Sequence, residues 1–247
     1  MNTENNLTKY AARMAVTARS RRWLPVMAVL ALGINAAIPA QAGGIALGAT
    51  RVIYPQGAKQ VSLPVTNSSE SDTFLIQSWV ANADGNKSSD FILTPPLFVM
   101  HPKKENTLRI MYVGGDLPTD RESVFYLNSK AIPSADKSKL QGNTLQIATQ
   151  SVIKLFVRPK DLPTPSIEAS KTLRCSVSGG KLTMTNPSPY YVSTVQLYVG
   201  GRKLPNSMVP PKGSLMVDVP GGGGGGKVTL QTVNDFGANT PTQTCAG

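Results

Sequence analysis

The chain has 247 residues, a formal net charge of +11, two cysteines and one histidine. Two cysteines and His101 cannot complete a four-ligand structural zinc site without a carboxylate or a second chain, so a structural metal is not expected. The Lys and Arg residues are scattered, with no basic run interleaved with aromatics as a nucleic-acid groove requires, so the charge reads as solvated surface.

The first 42 residues read as an export signal. Lys9, Arg13, Arg19, Arg21 and Arg22 form a positive leader, an uncharged apolar stretch begins at Trp23, and Ala40-Gln41-Ala42 offers a small-residue cleavage site before Gly43. A membrane anchor is the alternative, but Pro25, Gly33, Asn35 and Pro39 interrupt the run, well short of the ~20 apolar residues a span needs. Stable membrane insertion is therefore not expected. Ser20-Arg21-Arg22-Trp23-Leu24 faintly matches a twin-arginine signal, but no cofactor site accompanies it, so export of the unfolded chain is expected. Cleavage would leave residues 43–247 with a formal charge of +7, a length that fits two sandwich domains of ~100 residues.

Beyond the leader the chain alternates short strands with turns, and no helix is expected. Val61–Val65 places apolar residues two apart, with Pro64 suggesting an edge strand. After the polar cluster 67–72, Thr73–Val80 forms the next strand, and 82–86 the next turn. Phe91-Ile92-Leu93 runs into Pro95-Pro96, as an edge or crossover segment does. Thr107–Tyr112 and Ser123–Leu127 follow, and the longest strand signal spans Thr144–Val157. Asp161-Leu162-Pro163-Thr164-Pro165 is a stiff connector, dividing residues 43–160 from 161–247. The second half repeats the pattern: strand Lys181–Met184, turn Asn186–Pro189, and strand Tyr190–Val199. The six glycines from Gly221 to Gly226 read as a mobile surface loop and lack the Lys-Ser/Thr ending of a phosphate-binding loop. Strands at this spacing predict an all-β, sandwich architecture. In an exported protein Cys175 and Cys245 are expected to form a disulfide; two free thiols are the alternative.

Leu117–Asn128, closed by Ile132-Pro133, resembles the signature of PapD-like periplasmic pilus chaperones, with Ser129 replacing an apolar residue. Thr50–Tyr54, Ile153–Pro159 and Asn186–Val192 agree in the same order, so the resemblance spans both halves. It implies two immunoglobulin-like β-sandwich domains around a cleft, a periplasmic location, and a chaperone function without enzymatic activity or cofactor. The implied partners are pilus subunits and an outer-membrane usher. A pilus subunit of this pathway is an incomplete sandwich, whose unpaired strand edges would otherwise aggregate; the chaperone fills its groove by strand donation.

The same resemblance assigns roles to residues. Leu145, Ile147 and Thr149, alternating on one strand face, would enter the subunit groove, with Thr149 standing where an apolar residue is usual. Without the resemblance, the ladder would read as facing its own core. Arg51 and Lys154 would anchor the subunit's terminal carboxylate through charge-assisted hydrogen bonds. Strict alternation places Lys154 opposite Leu145, so its aim into the cleft is expected to need twist or a bulge. Glu122, Arg158 and Asp235 would form an interdomain charge network, contributing ~0–1 kcal/mol if exposed. The short segment 134–143 suggests the family branch serving rod-type pili. Two rivals are weighed. A secreted hydrolase would need more than the single His101, and no nucleophile elbow or paired acids stand out. A structural pilus subunit or adhesin should carry one incomplete domain and a donor extension, whereas this chain reads as two complete domains.

Overall fold

The computed structural model describes residues 43–134, 146–222 and 226–247. They form two β-sandwiches, each with its own core. In the first, one sheet runs in the order β1 (Ile45–Leu47), β3 (Val61–Asn67), β7 (Glu105–Tyr112) and β5 (Phe91–Thr94). The facing sheet runs β2 (Arg51–Pro55), β9 (Thr149–Arg158), β8 (Ser123–Pro133), β4 (Phe74–Ala81) and β6 (Leu97–Met100). Alternation does the packing: in β3, Leu63 and Val65 are buried while Ser62 and Pro64 are exposed. Leu63, Val65, Ile76, Leu108, Ile110, Leu127 and Leu155 meet between the sheets.

Pro64 does not mark an edge strand, because β3 lies between β1 and β7. Gly48 N donates to the Pro64 carbonyl at 2.8 Å, just past the last β1 pair, Leu47↔Val65. The N–H and C=O of a strand residue point to the same side, so the missing donor falls where β1 ends and no ladder bond is lost. The Pro95-Pro96 expectation holds. Strand β5 is the edge of one sheet, β6 the edge of the other, and the prolines carry the chain across.

The second sandwich packs β10 (Arg174–Ser178), β11 (Lys181–Asn186) and β15 (Gly213–Asp218) against a sheet ordered β13 (Arg202–Lys203), β12 (Val192–Val199), β16 (Val228–Thr232) and β17 (Gln243–Thr244). Strand β14 (Ser207–Val209) also pairs with β12. Cys175 and Cys245 are joined, with Cα atoms 5.7 Å apart, beside buried Leu182, Met184 and Leu197. One helix escapes the sequence reading, a 3-10 helix over Ser166–Thr172, just after the proline-rich connector. Seven residues, about two turns of a 3-10 helix, are too few to show a helical period. Strand β12 also starts two residues later than expected, since the Tyr190 carbonyl accepts from Asn186 Nδ2 at 2.7 Å and belongs to the preceding turn. Of the sequence-based expectations, Leu145, most of the 134–143 segment and the middle of the glycine run lie outside the described residues.

Candidate functional site

Strand β9 organises the site. From Thr149 to Val157 it pairs with β8 in unbroken register, Ala131↔Thr149 to Ser123↔Val157. On its other side β2 runs parallel and covers only Lys154 to Arg158, through Arg51↔Lys154 to Pro55↔Arg158. Residues 149–153 therefore present an unpaired edge, the kind of surface onto which another strand adds.

The two faces of β9 diverge. Ile153, Leu155 and Val157 point into the first core. Ile147 and Thr149 continue that parity but lie past the core, with Ile147 66% exposed. Lys154, Phe156 and Arg158 occupy the opposite face and meet the second sandwich: the Phe156 ring lies 5.7 Å from that of Tyr191. Of the twist or bulge expected from sequence, no bulge interrupts the pairing of β9 with β8. Lys154 reaches the junction because the junction lies on that face, and regular pleating suffices.

Because β2 and β9 place them in register, Arg51 and Lys154 stand side by side. Each is held by a group of the second sandwich: Lys154 Nζ donates to Ser193 Oγ at 2.9 Å, and an Arg51 terminal nitrogen donates to the Val233 carbonyl at 3.0 Å. Arg51 Nε is buried without a partner. Among the described residues no carboxylate forms a salt bridge with either cation. Burial, reinforced by the Arg51 charge, lowers the Lys154 pKa below the ordinary lysine value. Burial likewise lowers that of Arg51, against the more distant Asp235 and Glu122. Two desolvated cations facing each other constitute a site short of negative charge.

Four residues along β9, Arg158 closes a second cluster. Its Nε donates to Glu122 at 2.7 Å, and its two terminal nitrogens grip both oxygens of Asp235 at 2.8 Å. Ser166 from the 3-10 helix donates to Asp235 at 2.8 Å, and the Tyr191 amide donates to the other Glu122 oxygen at 2.8 Å. The Arg158 guanidinium also sits 5.0 Å from the Tyr190 ring centre. The network is not the exposed set assumed from sequence, since the Glu122 side chain is only 2% accessible and that of Arg158 19%. Burial pushes the Glu122 carboxyl up, against Arg158 and the Tyr191 amide. Burial acts on Asp235 in the same sense, but hydrogen bonds from Arg158 and Ser166 outweigh it and hold Asp235 below its usual range. For Arg158, burial alone would favour deprotonation, yet its two carboxylates raise its pKa further.

Sequence reasoning misses Ser193, Ser166 and Tyr191. Tyr191 lies inside the Asn186–Val192 motif, and Ser193 one residue beyond it, but a serine's type carries no signal of a lysine contact made across 39 residues. Groups of His, Cys, Asp and Glu able to hold a metal are absent among the described residues, which also include no helix long and apolar enough to cross a membrane.

Comparison with known proteins covers the whole of this arrangement. Residues 44–163 match the model of the pili and flagellar-assembly chaperone PapD N-terminal domain, and residues 168–244 that of the pili assembly chaperone PapD C-terminal domain. The chain is 55% identical over 202 residues to the chaperone protein FimC of Escherichia coli O6:H1, covering 81% of this chain and 83% of that one. It is 47% identical over 219 residues to the probable fimbrial chaperone ElfD of Escherichia coli K12, covering 89% and 94%. Among solved structures, the periplasmic chaperone SfaE superposes with a TM-score of 0.73 at 46% identity, over 83% of this chain and 100% of SfaE. The SafB chaperone, solved with the SafA pilin of Salmonella enterica, gives 0.75 at 30% identity, over 84% and 98%.

Proposed function

This chain belongs to the PapD-like family of periplasmic pilus-assembly chaperones, and on that premise we propose how its junction engages a pilus subunit. It is a periplasmic chaperone, not an enzyme. It binds pilus subunits by donor-strand complementation and delivers them to an outer-membrane usher.

Residues 1–42 are the signal peptide, 43–160 the N-terminal domain and 161–247 the C-terminal domain. The terminal carboxylate of the pilus subunit binds between Arg51 and Lys154. The observation that carries this reading is the side-by-side pair of desolvated cations without a carboxylate, at the inner end of the unpaired β9 edge. A carboxylate there gains charge-assisted hydrogen bonds from both cations and relieves their repulsion. From that anchor the last strand of the bound protein runs out along residues 153 to 149, pairing with the open edge. Leu145, Ile147 and Thr149 then fill its groove, each aliphatic side chain contributing ~1.5–3 kcal/mol on burial. Ser193 holds the Lys154 ammonium in position, and Glu122, Arg158 and Asp235 fix the angle between the domains. Arg51→Ala and Lys154→Ala proteins, expressed with a pilus subunit, should fold but release it, read by co-purification from the periplasm. Undiminished recovery with both variants would remove the anchor. Mass spectrometry of the exported protein should find Gly43 at its start.

A further inference from the structure

The second sandwich has an end that the chaperone site does not use. Strands β11, β12 and β16 each approach the junction at one end, near Asn186, Ser193 and Val233. At their other ends, about 25 Å away by the rise of β12, three turns converge. They are the β10–β11 turn at Gly179-Gly180, the β12–β13 turn at Gly200-Gly201, and the two flanks of the glycine run, Gly221-Gly222 and Gly226-Lys227. Contact between the turns is direct. Gly200 N donates to the Lys227 carbonyl at 3.1 Å, Val219 N to the Gly180 carbonyl at 2.8 Å, and Arg202 to the Pro220 carbonyl at 3.0 Å. A Cβ on Gly226 would lie 2.7 Å from the Gly200 Cα, so the backbones meet at a distance only glycine allows.

With no side chains between the described glycines, these turns leave Lys181, Arg202, Lys203 and Lys227 standing at the tip, all four exposed. The one acid of the three turns, Asp218, lies 3.8 Å from Lys181 and is itself exposed. Among the described residues, this end is surfaced by glycine backbone and carries a net positive charge, at the opposite end of the second sandwich from the cleft.

We propose that this tip is a docking surface for anionic phospholipid headgroups, so that the chaperone rests on a membrane face while its cleft stays open. The hydrogen bonds between the turns bring exposed cations from three separate loops to one end of the sandwich, and a headgroup layer supplies negative charge to all of them at once. On the reading that this chaperone delivers pilus subunits to an outer-membrane usher, docking would confine the search for the usher to two dimensions.

Vesicle co-sedimentation of the exported protein tests the proposal. It should bind vesicles of phosphatidylglycerol in phosphatidylcholine, not pure phosphatidylcholine, and should leave them in molar salt, where the screening length shrinks to about 3 Å. Each cation near an anionic surface is worth about fivefold in partition. Arg202→Ser/Lys203→Ser/Lys227→Ser should therefore weaken binding about a hundredfold. Lys203→Ser/Lys227→Ser, which spares the Arg202–Pro220 hydrogen bond, should weaken it about twentyfold. Neutralising exposed Lys59, Lys104 and Lys160 instead should change it by no more than about twofold. Equal losses from that control would reduce the effect to net charge and overturn the proposal. So would release by inorganic phosphate at matched ionic strength, which would indicate a discrete anion pocket. Recovery of the pilus subunit by co-purification should be unchanged in the tip variants. Its loss in the Arg51 or Lys154 variants alone thus reports on the cleft, and lost vesicle binding alone reports on the tip.

Discussion

The two halves of β9 carry the same alternating pattern into opposite surroundings. From Lys154 onward the strand has β8 on one side and β2 on the other, and Leu155, Phe156 and Val157 are all buried. Before Lys154 it has β8 alone, and Ile147 and Val152 stand more than half exposed. Nothing in the residue types separates Ile147 from Ile153. The difference comes from where β2 begins. Arg51 is at once the first residue of the covering strand and one of the two cations, so the boundary between the closed and open halves coincides with the proposed anchor. In the proposed complex, a pilus strand anchored there and paired with 153 to 149 would extend the ladder that β2 leaves unfinished.

This contrast breaks most sharply in stability. Leu155→Ala opens a cavity in the closed half and should cost about 2–5 kcal/mol in urea denaturation. Ile147→Ala removes an exposed side chain and should stay within about 0.5 kcal/mol while weakening retention of the pilus subunit. Ile147→Glu carries the same logic further: a charge that water tolerates in the free protein has no partner in an apolar groove. The variant should melt like the parent and retain no bound partner. If it unfolds, the open half is core, and strand donation by this face fails.

How much of this is legible in the sequence follows from the range of the interactions. Strand positions and the Pro95-Pro96 crossing are readable, because alternation and proline act over a few residues. The site residues are nameable only through resemblance; by type alone, Arg51 and Lys154 are ordinary surface cations. What cannot be read is depth. Glu122 looks like an exposed acid, yet it is buried because Tyr191 and Arg158 close over it from positions far along the chain. The face of Lys154 escapes for the same reason: alternation gives parity, and which parity meets the second sandwich is a tertiary fact.

A pH dependence sharpens the comparison at the boundary itself. The free Lys154 pKa lies below the ordinary lysine value because burial and Arg51 disfavour the charged form. A bound carboxylate favours the charged form, so binding raises that pKa again. Affinity is then level below the free pKa and falls as pH rises through it, toward tenfold per unit, until the bound pKa is reached. The fall should begin below the value of an exposed lysine, and Lys154→Arg should delay it to higher pH. Ser193→Ala removes the acceptor that stabilises the ammonium and should bring the fall earlier, with a loss of severalfold at neutral pH. Titration of a peptide carrying the last residues of a pilus subunit against the three proteins would check the order. An unchanged onset in Ser193→Ala would strip Ser193 of its positioning role.

The smallest effect sits at Thr149, where the open half begins to pair with β8 through Ala131. Its neighbour on the proposed donating face, Ile147, offers an aliphatic side chain, whereas Thr149 brings a hydroxyl. In water that hydroxyl is satisfied. Inside an apolar groove it must find a backbone acceptor or lose its hydrogen bonds, a penalty of about 1–3 kcal/mol when no partner is reached. Thr149→Val keeps the β-branched shape and replaces the hydroxyl by a methyl, so the free protein, where Thr149 is exposed, should keep its stability within about 0.5 kcal/mol. The gain appears only on binding: burial of the added methyl, worth about 0.8 kcal/mol, plus whatever desolvation the hydroxyl had cost. Dissociation of the pilus subunit from the Thr149→Val protein should therefore slow by about fourfold or more, as measured by exchange against an unlabelled competitor. Equal dissociation rates would mean that Thr149 does not enter the groove. The donated face would then end at Ile147, one pair short of the edge that β2 leaves open.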